Sequence, residues 1–348
     1  MEKLKVNETP VRTARNFLIN NIEIELEIPE KIAEFKNVEI LNDNSVIDDK
    51  TENNQLTYGT GKILEELNYE TANNKIRIQT SKKKENVKIK YIFDDENVNL
   101  INQIEIIANG DTNIIIEYIS NTNKKCLHNG IIKAIANENA KLGVTIVNLL
   151  NEKSENFEAI ENKLEKNSNV KYTIIDMGAK TSISNYYSNI IGDNAENDLK
   201  SIYLGIDEQR KDINYIAELR GQKTNIDIDV QGALKDSAKK NFKGTIDFKK
   251  GAKKSKGNEN EYCMLLSNKA KSIALPMLLC TEEDVEGNHS TASGKVDMKQ
   301  LFYLMTRGLS YKEAVKLIVK ANFQKIIDRI NDEELKNVIL KEIDKKLD

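Results

Sequence analysis

The sequence predicts a mainly β body followed by a helical C-terminal tail. Three observations carry that expectation. Segments of alternating apolar and polar residues, rich in β-branched side chains, dominate from about residue 74 to residue 279. Long helical patterns are missing between them, which disfavours a doubly wound βαβ sheet. Beyond residue 297 the pattern changes to capped, amphipathic helices.

Taken in order, the first seventy-odd residues read as irregular. Thr9-Pro10 opens a short mixed segment, Val11 to Ile19. Ile22, Ile24, Leu26 and Ile28 then alternate with polar residues, the period of a half-buried strand ended by Pro29. Residues 42–60 are polar and read as loop, and Lys62 to Leu67 as a short helical turn.

In the β body, Val87, Ile89 and Tyr91 alternate with lysines, and Ile226, Ile228 and Val230 with Asp227, Asp229 and Gln231. Ile114-Ile115-Ile116 and Ile174-Ile175 fit strands covered on both faces. Residues 152–166 are expected to form one isolated helix. Strand centres recur at about 20-residue intervals, as Ile226 and Ile246 illustrate, within the range of solenoid coils. A β-sandwich would give similar runs, but tight two-residue hairpins are not evident. The many Asn residues suit stacked ladders in solenoid turns, or simply reflect compositional bias.

In the tail, Asp297 with Gln300 and Ser310 with Glu313 have capping-box spacing, and Gly308 sits where the first helix should stop. A third helix is expected from Asp332, with Leu335, Val338, Ile339 and Ile343 on one side. The division expected is therefore a small N-terminal region, 1–73, a β core, 74–285, and a helical domain, 286–348.

Composition narrows the function. The 52 Lys+Arg against 55 Asp+Glu give a formal net charge of -3, which argues against a general polyanion binder and so against nucleic acid. The basic runs at Lys82–Lys84 and Lys249–Lys256 read as solvated loops. No apolar h-region opens the chain and no window is long enough for a membrane helix. Cys126, Cys263 and Cys280 are odd in number and widely spaced, which suits free thiols in a reducing cytosol. A cytoplasmic protein is expected.

No nucleotide motif is visible: GxxxxGK[ST] and GxGxxG are both absent, and Tyr58-Gly59-Thr60-Gly61-Lys62 lacks the spacing of a phosphate loop. GxSxG and HExxH are also absent. Asp94-Asp95 and Glu282-Glu283-Asp284 belong to a chain too rich in carboxylates for such pairs to mark a glycosidase. The two histidines are His128 and His289. His289 lies in a Gly/Ser/Thr-rich segment read as a turn, nine residues after Cys280. Read blandly, it is a hydrogen-bonded turn residue and Cys280 a small hydrophobe. Imidazole and thiolate are also competent soft-metal ligands, and one chain need not carry a full set when a site is shared between subunits.

Residues Ser201 to Phe323 resemble the SufB/SufD family of iron–sulfur cluster assembly scaffolds. The resemblance rests on SIYLGIDEQRKDINYIAELRGQKTNIDIDVQGALKDSAKKNFKGTIDFKKGAKKSKGNENEYCMLLSNKA and on DVEGNHSTASGKVDMKQLFYLMTRGLSYKEA. The latter is similar to the family's His-bearing segment followed by its LFYL-x-x-RG helix start. Pro10-Val11-Arg12-Thr13, the short N-terminal region and Asn288-His289-Ser290 resemble the SufD branch most. Gly287 stands where SufD-like chains often carry a cysteine. Glu261 stands at the place of the SufB cysteine that receives sulfur, with Cys263 displaced by two residues.

The resemblance implies a right-handed parallel β-helix with a C-terminal helical domain. It implies a noncatalytic scaffold that binds no nucleotide itself. The partners implied are a SufC-like ABC-type ATPase, met by the C-terminal helices, and a SufB-like chain, or a second copy, met by the β-helix. ATPase-contact candidates are Leu301, Phe302, Tyr303, Leu304, Arg307 and Gly308. Cluster-assembly candidates, for a transient iron–sulfur cluster at the subunit interface, are His289, Glu286 and Cys280, with His289 as a metal ligand shared with the partner chain. Two other classes fit a β-helix: a carbohydrate-active lyase or hydrolase, and a surface adhesin. The first predicts export, and the second leaves three capped helices unexplained.

Overall fold

The computed structural model describes residues 2–13, 19–29, 31–52 and 55–348, so most of the Val11 to Ile19 segment lies outside the described residues. A small antiparallel pair, β1 (Glu2–Val6) and β2 (Ile22–Leu26), precedes two nine-stranded sheets. The front sheet runs β3 (Val38–Asn42), β6 (Glu85–Phe93), β8 (Asp111–Ser120), β10 (Lys141–Leu149), β12 (Asn169–Asp176), β14 (Glu196–Gly205), β16 (Asn225–Leu234), β18 (Ser255–Leu265), β20 (Val285–Lys295). The back sheet runs β4 (Val46–Asp48), β5 (Asn74–Gln79), β7 (Asn99–Ala108), β9 (Leu127–Ala136), β11 (Glu155–Leu164), β13 (Thr181–Ile190), β15 (Arg210–Leu219), β17 (Lys239–Phe248), β19 (Lys271–Cys280). The helices are α1 (Lys62–Thr71), α2 (Met298–Thr306), α3 (Tyr311–Ile327) and α4 (Glu333–Leu347).

From β5 onward, successive strands alternate between the sheets, and within each sheet they pair in parallel. The molecule is therefore a parallel β-solenoid with two strands per coil. The coil length differs from the sequence expectation. Register advances 26 residues from Glu155 to Thr181 and 32 from Lys239 to Lys271. Ile226 and Ile246 are both buried, but on β16 and β17 of opposite sheets, so their spacing is not one coil. The helix expected over 152–166 is instead strand β11.

One corner of the solenoid shows why Asn is frequent. Asn139, Asn167 and Asn194 occupy successive turns with φ of 63, 57 and 58°, a left-handed conformation that Asn tolerates. Their amides stack: Asn167 Nδ2 donates to Asn139 Oδ1 at 3.0 Å, and Asn194 Nδ2 to Asn167 Oδ1 at 3.1 Å. The ladder reading holds at this corner.

Both sheets are covered on their outer faces, which removes simple alternation. Leu4, Val6, Ile22, Ile24 and Leu26 of the N-terminal pair pack with Leu64 of α1 on Ile101, Leu127, Phe157 and Ile183 of the back sheet. The C-terminal helices cover Val147, Ile175, Ile202 and Leu204 of the front sheet with Leu301, Phe323, Ile327 and Ile339. Ile174 thus faces the solenoid interior and Ile175 the helices. Asp297 caps α2 by accepting from Lys299 N–H, and the expected Ser310–Glu313 capping box opens α3.

The two ends of the solenoid differ. At the first coil, β3 and β4 pair antiparallel with β6 and β5, and Phe35 packs edge-on against Phe93 at 5.0 Å. That end is closed. At the other end β19 and β20 are the last strands of their sheets, and β20 is largely exposed. Unpaired strand edges of this kind invite a further strand.

Candidate functional site at the open end of the solenoid

His289 lies inside strand β20, not in a turn. The Gly/Ser/Thr content that suggests a turn reflects the small side chains of an edge strand. In the parallel ladder His289 is the partner of Glu259, so the two side chains share the inner face. The intervening residues face outward: Glu286 pairs with Lys256 at 2.9 Å, Asn288 Nδ2 donates to Asn258 Oδ1 at 3.1 Å, and Ser290 Oγ to Asn260 Oδ1 at 2.7 Å. Cys280 ends β19, in register with Phe248; its exposed thiol donates to the Glu282 carbonyl at 2.8 Å. The last coil thus carries all three candidates, with Glu286 and His289 on opposite faces of β20. Among the described residues no group of three His, Cys, Asp or Glu side chains is placed to hold a metal ion. Ligands from another chain would be needed to complete a site here.

Immediately beneath lies a buried polar cluster without a signal in the sequence pattern. Glu261 Oε1 accepts from Lys240 Nζ at 2.7 Å and from the Tyr203 hydroxyl at 2.8 Å. Lys240, Glu259 and Glu261 are all buried, as is Cys263, whose thiol is pushed up chiefly by burial. Two glycines make room. A Cβ on Gly232 would overlap the Tyr203 ring, and one on Gly244 would overlap the Glu259 carboxyl. Among the described residues neither carboxyl oxygen of Glu259 has a hydrogen-bond partner. Burial, then the neighbouring Glu261 charge, raises its pKa from 4.5 to about 8.

The other histidine sits deeper. His128 is fully buried, its ring nitrogens 2.6 Å from Asn156 Oδ1 and 2.9 Å from Asn102 Oδ1. Tyr118 packs against its ring and donates its hydroxyl to Glu158 at 2.9 Å. Burial lowers the His128 pKa to about 4 and raises that of Glu158 to about 8. Burial thus favours a neutral core imidazole, whose single N–H donates to one of these two amide oxygens.

The helical candidates divide by exposure. On α2, Leu301 is 1% exposed and packs onto the front sheet, whereas Phe302 is 69% and Met298 68% exposed. Tyr303 is also exposed, with the Arg307 guanidinium 5.2 Å from its ring centroid. Leu304 is partly buried against the same cluster as Leu301. Gly308 takes φ +94°, ending the helix as its position predicts. A groove of about 600 Å³ separates α2 and α3 from β18, lined by Tyr262, Met264, Leu304, Leu317 and Ile318. No helix among the described residues is long and apolar enough to cross a membrane.

Residues 91–322 match the family model described as SUF system FeS cluster assembly, SufBD core domain. The iron–sulfur cluster assembly protein SufD of Bacillus subtilis is 27% identical over 261 residues, 74% of this chain and 60% of that protein. A SufBD family protein of Pyrococcus horikoshii is 30% identical over 219 residues, 61% of this chain and 48% of the relative. One from Staphylococcus saprophyticus is 24% identical over 193 residues, 56% and 42% of the two chains. The chain thus spans about half the length of the curated relatives it matches. With a parallel solenoid, a helical tail on its front sheet and a core match that spans both, this chain belongs to the SufBD family of the SUF iron–sulfur cluster assembly system and is most like SufD.

Proposed function

We propose that this chain is a noncatalytic scaffold subunit that pairs through its open solenoid end and docks an ABC-type ATPase on α2. The observation that carries the reading is the asymmetry of the solenoid, closed by antiparallel strands at one end and left with exposed edges at the other. A SufB-like chain is the partner proposed for β19 and β20. His289, on the inner face of that edge, supplies a nitrogen ligand to the nascent cluster, which is cargo. The partner chain supplies the remaining ligands. The protein is taken to act in the cytoplasm, in keeping with its free cysteines.

Co-purification with the SufC-like ATPase and the SufB-like chain tests the assignment. Removing the helices would uncover Val147, Ile175 and Ile202, so a point change is the better probe. Phe302→Glu should abolish ATPase pull-down and leave the fold unchanged. A His289→Ala variant should assemble normally yet fail to support cluster formation in anaerobic reconstitution. Undiminished pull-down, or full cluster yield, would refute the corresponding half.

A further inference from the structure

Glu259 stands out among the buried groups because nothing among the described residues accounts for it. It is fully buried, and both carboxyl oxygens lack a partner among the described residues. Nearly all buried polar groups are satisfied, so such an exception asks for a reason. Glu261, two residues on, has Lys240 and Tyr203; Glu158, deeper in the core, has Tyr118. Gly244 on the opposite sheet leaves the space that the Glu259 carboxyl fills. Its ladder partner is His289, whose ring is the next side chain on the same inner face and is exposed at the open end.

We propose that Glu259 is the positioning residue for His289: when a partner closes the open end, the Glu259 carboxyl oxygen accepts the imidazole N–H directed into the solenoid. A neutral carboxyl and an ionised one both keep an oxygen that accepts, so the contact holds in either protonation state. Fixing one N–H fixes the tautomer and presents the other ring nitrogen, unprotonated, toward the partner. Ligating histidines are commonly oriented in this way by a carboxylate or carbonyl behind them. In the unpaired chain the bond is unmade, which explains a buried acid without a partner beside an exposed imidazole. The inference rests on the reading of His289 as a ligand at a paired solenoid end.

Only two histidines occur in the chain, so selective ¹⁵N-histidine labelling reports His128 and His289 alone. The labelled chain would be studied free and bound to the unlabelled SufB-like partner and ATPase. In the wild-type complex His289 should show a single tautomer, and in the free chain a mixture of the Nδ1–H and Nε2–H forms like that of a histidine side chain in water. Glu259→Gln keeps a carbonyl acceptor and should retain the single tautomer. Glu259→Met, similar in length but apolar, should return His289 to the mixture in the complex, with His128 unchanged as an internal control of folding. A wild-type complex with mixed tautomers, or a Glu259→Met complex that keeps the single one, would overturn the proposal. Cluster yield from His289→Ala is read separately. Full yield there defeats the ligand assignment, whereas the tautomer result judges Glu259 alone.

Discussion

His289 and Glu259 are partners in one parallel ladder and share one face, yet the first is exposed and the second is entirely shielded from solvent. The boundary between protein interior and pairing surface therefore falls between two neighbouring strands, β18 and β20. A single coil separates a carboxyl held neutral from the edge on which another chain is proposed to act.

Glu259 makes stability depend on pH in a definite direction. Its folded pKa, about 8, lies above the ordinary 4.5. Its contribution is fully present below pH 4.5 and is lost as pH rises through 8, because the unfolded chain ionises first. Glu158, also raised to about 8, acts in the same sense, while His128, lowered to about 4, removes stability as pH falls below 6.5. Glu259→Gln should therefore stabilise the chain increasingly between pH 5 and pH 8, by on the order of a few kcal/mol at the upper end. Urea unfolding of both proteins across that range checks it; a pH-independent difference would contradict it.

Gly232 is required by packing and not by its backbone angles. A Cβ there would fall within the Tyr203 ring, which crosses this position to reach Glu261 on the second strand along. Gly232→Ala must displace the ring and break its bond to Glu261. A loss of about 2–4 kcal/mol is expected, combining overpacking with an unmade buried hydrogen bond. A change below about 0.5 kcal/mol in denaturant unfolding would show that the ring has another resting place.

The class of fold is legible in the sequence but the winding is not. Period two is visible where one face is polar, as at Ile22, Ile24 and Leu26, and β2 forms there. It fails in β11, where Phe157 packs outward against the N-terminal pair, Ile160 and Leu164 pack inward, and Asn156 and Glu158 are buried as well. That strand carries apolar residues at helical spacing, which is why 152–166 reads as a helix. The C-terminal helices are legible because caps are local: Ser310, Glu313 and Gly308 act within one turn. His289 stands out by its rarity and the motif around it. Glu259 does not, because a glutamate flanked by Asn258 and Asn260 looks solvated until the ladder places it inside.

On α2, adjacent residues should separate folding from docking. Leu301 is buried against the front-sheet cluster, so Leu301→Ala should cost about 2–5 kcal/mol in unfolding experiments. Phe302 is mostly exposed, so Phe302→Ala should change stability by less than about 0.5 kcal/mol and still weaken ATPase capture. If Phe302→Ala unfolds the chain as readily as Leu301→Ala, the exposed face of α2 has a structural role and not a docking one.

The backbone phase of the terminal strands predicts which edge groups a partner can use. Lys271 N–H donates to Ala238 O and Thr281 N–H to Phe248 O, so odd positions of β19 face β17. Pro276, at an even position, therefore sits where its missing N–H falls on the free edge, leaving the inner ladder intact. In the front sheet Lys256 N–H donates to Thr224 O, so the odd positions of β18 face β20. By the parallel register, the even positions of β20 bond back to β18, and Thr291 presents its N–H to the free edge. Thr291→Pro should then leave unfolding nearly unchanged but weaken pairing with the SufB-like chain roughly tenfold, the worth of one interfacial hydrogen bond. Ala292→Pro removes a ladder donor instead and should cost about 1–3 kcal/mol of stability. Sedimentation of each variant with the partner, alongside thermal unfolding of each alone, separates the two effects. Equal pairing by Thr291→Pro and wild type would mean that β20 is not the strand a partner extends.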